Sequence, residues 1–184
     1  MGVSSIFGRT STPDRLGRRS GAVAIFAMVV SVGAVMETAP RVLINTTPSE
    51  PPGLYVRSPM TPGPGRIVAF TAPAAAFPYA DHRLAYLHRV PLLKAVAAGP
   101  GDLVCTLNGQ LEIDGKPRAP IAQVDRQGIA LPHWRACRRL RADELFVFSD
   151  RVPNSFDSRY FGPVHRRAVL GVYAPLAVLT SGGR

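Results

Sequence analysis

N-T-T-P-S-E-P-P-G-L-Y, Asn45 to Tyr55, is the stretch whose reading decides the fold. It is too rich in proline to be helical. Pro48, Pro51 and Pro52 each lack an N–H and each restrict the preceding residue to extended conformations. Ser49 is therefore held between prolines in an extended or turned backbone, and Gly53 is free to turn the chain afterwards. A serine presented in this way exposes its hydroxyl to a passing acyl group. The same residues also describe a surface loop leaving a membrane anchor. Two later segments bear on the choice: L-L-K-A-V-A-A-G-P-G-D, Leu92 to Asp102, and F-S-D-R-V-P-N-S-F-D-S-R-Y-F-G-P-V, Phe148 to Val164.

Towards the amino terminus lies the only long apolar run. Residues 1–20 are polar and carry Arg9, Arg15, Arg18 and Arg19 against the single acid Asp14. Residues 21–37 form the candidate signal-anchor, and from Gly21 to Met36 they carry no charge. As a helix, about 16 residues span about 24 Å, which snorkelling flanks and local thinning reconcile with a bilayer core of roughly 30 Å. The arginines place the amino terminus in the cytoplasm and the body, residues 40–184, outside it. A cleaved signal peptide has the same positive head and short apolar core, so that alternative stays open.

Composition agrees with one exported domain plus an anchor. At 184 residues with 46% hydrophobic content, the chain can bury a real core. Its 18 prolines and 17 glycines favour a turn-rich β protein. The net charge of +10 brings nucleic acid into consideration. Yet the arginines are dispersed apart from Arg135, Arg138, Arg139 and Arg141, with no nucleic-acid-reading motif, so no nucleic-acid partner is expected. Cys105 and Cys137 are the only cysteines and lack metal-ligand spacing; in an oxidising compartment they are expected to form one disulfide.

Along the body, Arg66 to Thr71, Val90 to Val96, Leu145 to Phe148 and Ala168 to Val178 read as strands, the last broken by Pro175. Tyr79 to Leu93 has room for a short helix interrupted by Pro91. Leu103 to Leu107 and Leu111 to Ile113 read as a hairpin turned by Asn108-Gly109, with a further turn at Asp114-Gly115. Ala119 to Leu140 reads as a less regular insertion. The fold expected is mainly β, twisted and antiparallel.

Several chemistries fall away. His82, His88, His133 and His165 are scattered, no metal motif surrounds them, and neither a metal nor another cofactor is expected. There is no G-x-S-x-G elbow for a Ser-His-Asp hydrolase, and Asp102 after Gly99-Pro-Gly would repel a phosphate. A serine with a lysine base remains. Lys94 lies in an apolar run, where desolvation would lower its pKa and free its amine to accept a serine proton. The competing picture puts Lys94 on the wet face of a half-buried strand.

Taken in order, these three segments resemble the bacterial type I signal peptidases, and most of all their TraF-type branch, the conjugative-transfer peptidases that mature pilin precursors. The resemblance covers roughly Leu43 to Tyr173. It implies a signal-peptidase-like β fold behind one transmembrane helix, in the bacterial inner membrane, with the catalytic domain in the periplasm. Ser49 takes the nucleophile's place and Lys94 that of the base. The Ser49 N–H and the Thr47 hydroxyl would hold the oxyanion, and Ser155 would orient the lysine amine. Asp157 is either paired with Arg159 for structure or a third catalytic member tuning the lysine; Arg159 and Gly162 give structural support. The implied partners are a pilin or other exported precursor and membrane lipid, and the acyl-enzyme is resolved by hydrolysis or by cyclisation. The chain departs from the family pattern at Glu50, where general signal peptidases have methionine, and at Ala95, Ser149 and Arg151, which replace an arginine, a glycine and an asparagine. A non-catalytic membrane-anchored scaffold of a pilus or secretion assembly is the alternative, and it would need neither Ser49 nor Lys94.

Overall fold

The computed structural model describes residues 39–77 and 79–179. The expected anchor, residues 21–37, lies outside them. Among the described residues no helix is long and apolar enough to cross a membrane.

Eleven strands carry the body: β1 (Val42–Asn45), β2 (Gly53–Ser58), β3 (Ile67–Phe70), β4 (Leu92–Ala98), β5 (Leu103–Cys105), β6 (Gln110–Ile113), β7 (Lys116–Pro120), β8 (Cys137–Arg139), β9 (Glu144–Val147), β10 (Val164–His165) and β11 (Val169–Val178). Seven form one sheet in the order β1-β2-β11-β3-β4-β9-β10, and four form a second in the order β7-β6-β5-β8. Every pairing is antiparallel. The mainly β, antiparallel expectation therefore holds for the body.

The proline-rich segment is the connection between β1 and β2, which pair directly, Asn45 against Gly53. Gly53 opens β2 at φ 150°, and a Cβ there would collide with the Ala177 carbonyl oxygen of β11. β11 is not broken at Pro175. It pairs with β2 from Val172 to Val178, and a register shift between Pro175 and Ala177 accommodates the missing N–H. The expected helix after Tyr79 shrinks to α1 (Tyr79–Arg83) and a 3-10 turn, Ala85–His88. The Asp114-Gly115 turn has positive φ at both residues, 50° and 72°, the geometry that joins two strands tightly. It leads into β7, a strand not expected from the sequence. The insertion Ala119 to Leu140 also holds β8, which adds to β5.

One core cluster joins Val68, Phe70, Leu92, Val96, Leu145, Val147 and Phe161, so β3, β4 and β9 share it. A second lies under the smaller sheet, around Val104, Leu111, Ile113, Phe146 and Phe148. β4 alternates strictly, with Leu92, Lys94, Val96 and Ala98 buried and the residues between them half-buried. Lys94 is thus on the core face, and the wet-face alternative is overturned.

Cys105 and Cys137 face each other across β5 and β8 and are bonded as a disulfide, 32 residues apart in sequence. Closing such a loop contributes about 3–4 kcal/mol by chain-entropy arithmetic. Exported protein alkylated without reductant should therefore gain no label, and reduction before alkylation should add two labels by intact mass. Two labels without reductant would contradict the bond.

Candidate functional site

Ser49, Lys94 and Ser155 line a single cleft of about 660 Å³, walled by apolar side chains that include Leu43, Leu87 and Phe156. The three come from distant parts of the sequence. Ser49 sits in the β1–β2 connection, Lys94 on β4, and Ser155 in the loop that precedes α2 (Ser158–Phe161).

The serine loop is built around Asn45. Its side-chain amide donates to the carbonyls of Thr47 and Glu50, both at 2.9 Å, and its Oδ1 accepts from the Thr47 N–H at 3.1 Å. An asparagine folding back on the backbone ahead of it is a local turn device. The loop is pinned outward as well. Tyr55 donates its hydroxyl to the Pro51 carbonyl at 2.7 Å, the Leu179 N–H reaches the Pro52 carbonyl at 2.8 Å, and Ser149 Oγ donates to the Ser49 carbonyl. Ser49 is left only 6% exposed, inside a rigid turn.

The Thr47 hydroxyl gives its proton to Asn45 Oδ1 at 2.8 Å and stands 3.4 Å from Ser49 Oγ. With that proton committed, Thr47 offers Ser49 an acceptor. In this geometry the Thr47 hydroxyl stands beside Ser49 Oγ with its own proton directed to Asn45. Among the described residues the Ser49 N–H has no backbone or side-chain acceptor.

Lys94 is 5% exposed, and its side-chain amine makes no hydrogen bond or ion pair among the described residues. Burial lowers its pKa from 10.5 to about 8. The negative charges of Asp157 and Glu50 oppose the shift, and the Arg159 guanidinium adds to it. A lysine amine in this state loses its proton around pH 8 and can act as a base. Ser155 Oγ, buried in the same cleft, has no partner either.

Asp157 and Arg159 form a fully buried pair, 0% and 1% exposed. Arg159 Nε and Nη2 donate to the two carboxylate oxygens at 2.8 and 2.9 Å. Asp157 also caps α2 by accepting the Arg159 N–H at 3.2 Å. No hydrogen bond joins Asp157 to Lys94 among the described residues. Gly162 ends α2 at φ 80°, and a Cβ there would lie 2.7 Å from the Trp134 ring, so both conformation and space require glycine. Cys105 and Cys137 are not among the residues that line the cleft.

Sequence reasoning named Ser49, Lys94 and Ser155, which the structure brings to one cleft, and Thr47, which lines it too. It missed Asn45, although an asparagine two residues before Thr47 is a turn signal in its own right. It saw Glu50 and Ser149 only as departures from a pattern. Both turn out to contact the machinery around Ser49 and Lys94 directly.

A family model described as signal peptidase, peptidase S26, matches residues 17–176. A plasmid transfer protein TraF from Escherichia coli is 32% identical over 144 residues, 72% of this chain and 81% of that protein. A conjugal transfer protein TraF from Agrobacterium tumefaciens is 32% identical over 148 residues, 72% of this chain and 80% of the other. Another, from Agrobacterium fabrum, is 31% identical over 165 residues, 83% and 91% respectively. Among solved structures, a signal peptidase I from Enterococcus faecalis overlaps with a TM-score of 0.38 at 21% identity, over 62% of this chain and 98% of that one. With the family match running through all three chemistry-bearing segments, the chain belongs to the S26 signal peptidases and is a serine protease.

Proposed function

We propose that this protein is a membrane-anchored endopeptidase that matures an exported precursor, a conjugative pilin, through a Ser49–Lys94 dyad. The observation that carries the reading is that a buried lysine with no acidic partner in contact, and a pKa near 8, lines the same cleft as a serine clamped into a proline-rich turn. The relatives named as conjugal and plasmid transfer proteins support the choice of substrate. The basic residues ahead of the uncharged run at 21–36 support a bacterial inner-membrane anchor with the catalytic domain in the periplasm.

Neutral Lys94 takes the Ser49 Oγ proton as that oxygen attacks the scissile carbonyl. The tetrahedral oxyanion accepts from the Ser49 N–H. The peptide C–N bond then breaks, the Lys94 ammonium protonates the leaving amine, and an ester remains on Ser49. Water, or the substrate's own amino group, next attacks the ester. Lys94 takes the attacker's proton and returns it to Ser49 Oγ. Ser155 Oγ, buried without a partner in the same cleft, is the group that would orient the amine. The family resemblance points to a small side chain before the cut, where a larger one would clash.

Full-length protein in detergent, incubated with pilin precursors and read by intact mass, tests this. Hydrolysis gives two fragments whose masses sum to the precursor plus one water. Cyclisation gives a product lighter than the hydrolysed one by one water. Ser49→Ala should give neither. Processing by a folded Ser49→Ala protein would end the serine–lysine reading.

A further inference from the structure

The four positions at which the chain departs from its family pattern meet at one junction. Ser149 donates to the Ser49 carbonyl, and Arg151 Nε reaches the Pro48 carbonyl at 3.4 Å. Glu50 Oε1 accepts the Ala95 N–H at 2.7 Å. That last bond joins the residue after the nucleophile to the residue after the base.

Its origin lies in the strand ladder. On an antiparallel strand the N–H and C=O of one residue face the same neighbour. The Ala95 carbonyl accepts from the Phe148 N–H at 3.0 Å, at the end of the β4–β9 pairing. Beyond Phe148 the chain leaves the ladder, and Ser149 turns towards the serine loop. The Ala95 N–H has then lost its strand acceptor, and the Glu50 carboxylate takes the vacated position. Among the described residues this is the only hydrogen bond between the serine turn, residues 46–52, and β4.

We propose that Glu50 is a positioning residue of the peptidase, fixing the nucleophile turn to the strand that carries the base through its bond to the Ala95 amide. The proposal rests on the Ser49–Lys94 reading. Glu50 is buried and does not line the cleft, so it holds the two reactive groups in register without touching substrate. Its charge also acts on Lys94. The charged groups acting on the lysine are Asp157, Glu50 and Arg159; those around Glu50 are Lys94, Arg151 and Asp150, with Tyr55 beside it.

The test compares Glu50→Met, which removes the acceptor, with Glu50→Gln, which keeps an acceptor oxygen and removes the charge. Full-length protein in detergent is assayed on a fluorogenic peptide with alanine before the scissile bond, from about pH 6 to about pH 10. Glu50→Met should lower kcat about 10- to 100-fold across the range, with KM nearly unchanged. Glu50→Gln should keep the plateau kcat and reach it at lower pH, because a negative charge that favours protonated Lys94 is gone. Wild-type kcat in Glu50→Met overturns the proposal, and so does a Glu50→Gln plateau as low as that of Glu50→Met or an unmoved pH midpoint. If Glu50→Met does not fold, Glu50→Gln decides alone: a kept plateau with a lowered midpoint supports the proposal, and a lost plateau overturns it. Ser49→Ala runs alongside. Turnover by that variant removes the dyad reading itself, whereas an inactive Ser49→Ala beside a normal Glu50→Met removes only Glu50's role.

Discussion

Lys94→Met should abolish processing and yet give a folded domain more stable than the wild type below pH 8. Loss of the general base is expected to cost about a thousandfold or more in rate. The stability gain follows from where the lysine sits. It lies on the core face of β4 between Leu92 and Val96, opposite Val68 of β3. Methionine has similar length and no charge to desolvate. Burial lowers the folded-state pKa to about 8 from 10.5. The unfolded chain therefore binds a proton that the folded chain has released between those two values, and wild-type stability rises with pH across that window. Below pH 8 the folded wild type bears the whole cost of the buried ammonium, on the order of 3 kcal/mol. Lys94→Met removes that cost, so at pH 6 its Tm should exceed the wild type's by up to roughly 10 °C. The gap should close towards pH 10. Calorimetry at both pH values checks it. A variant less stable than the wild type at pH 6, or a gap that ignores pH, would mean that Lys94 is not held as a buried base.

The contrast between what could and could not be read in the sequence has a physical basis. β4 was legible because an apolar run bounded by Gly99-Pro-Gly leaves few alternatives. Its alternation then puts Lys94 on one face or the other, and only packing against β3 and β9 says which. The hairpin at Asn108-Gly109 was legible from its turn residues alone. β1, β2 and β7 were not. Lys116–Pro120 has two prolines and no apolar face, and it becomes a strand only because the Asp114-Gly115 turn delivers it to β6. Gly53–Ser58 begins with a residue that normally weakens strands, and the close approach of β11 makes that residue necessary. In the site, Ser49 and Lys94 were legible through residue type and surroundings. Their connection was not, since a bond from Glu50 to a backbone amide 45 residues away leaves no periodic trace.

Asp157→Ala should destabilise the domain severely, and a second substitution should reverse the damage. Asp157 holds Arg159 through two charge-assisted bonds. Arg159 in turn donates to the Ser155 carbonyl at 3.0 Å and the Pro120 carbonyl at 3.1 Å, and lies over the Phe148 ring at 4.9 Å. One buried guanidinium thus ties the end of β7 and the Ser155 loop to the chain just past β9. Removing its carboxylate leaves an unpaired charge in the core, at a cost of about 3–5 kcal/mol, or roughly 10 °C in Tm. Processing would fall with the fold, so the single variant does not separate the two roles open to Asp157. Asp157→Leu combined with Arg159→Met does. With both charges gone, no ion is stranded and stability should largely return. Asp157 raises the Lys94 pKa by more than Arg159 lowers it, so with both gone the working pH should shift downward. The double variant is therefore expected to fold and to process precursor at a rate near the wild type's, measured by thermal melts and intact mass on the same samples. A stable double variant that stays inactive would show that the pair does more than balance charge, through Asp157's effect on Lys94 or through Arg159's hold on the Ser155 loop.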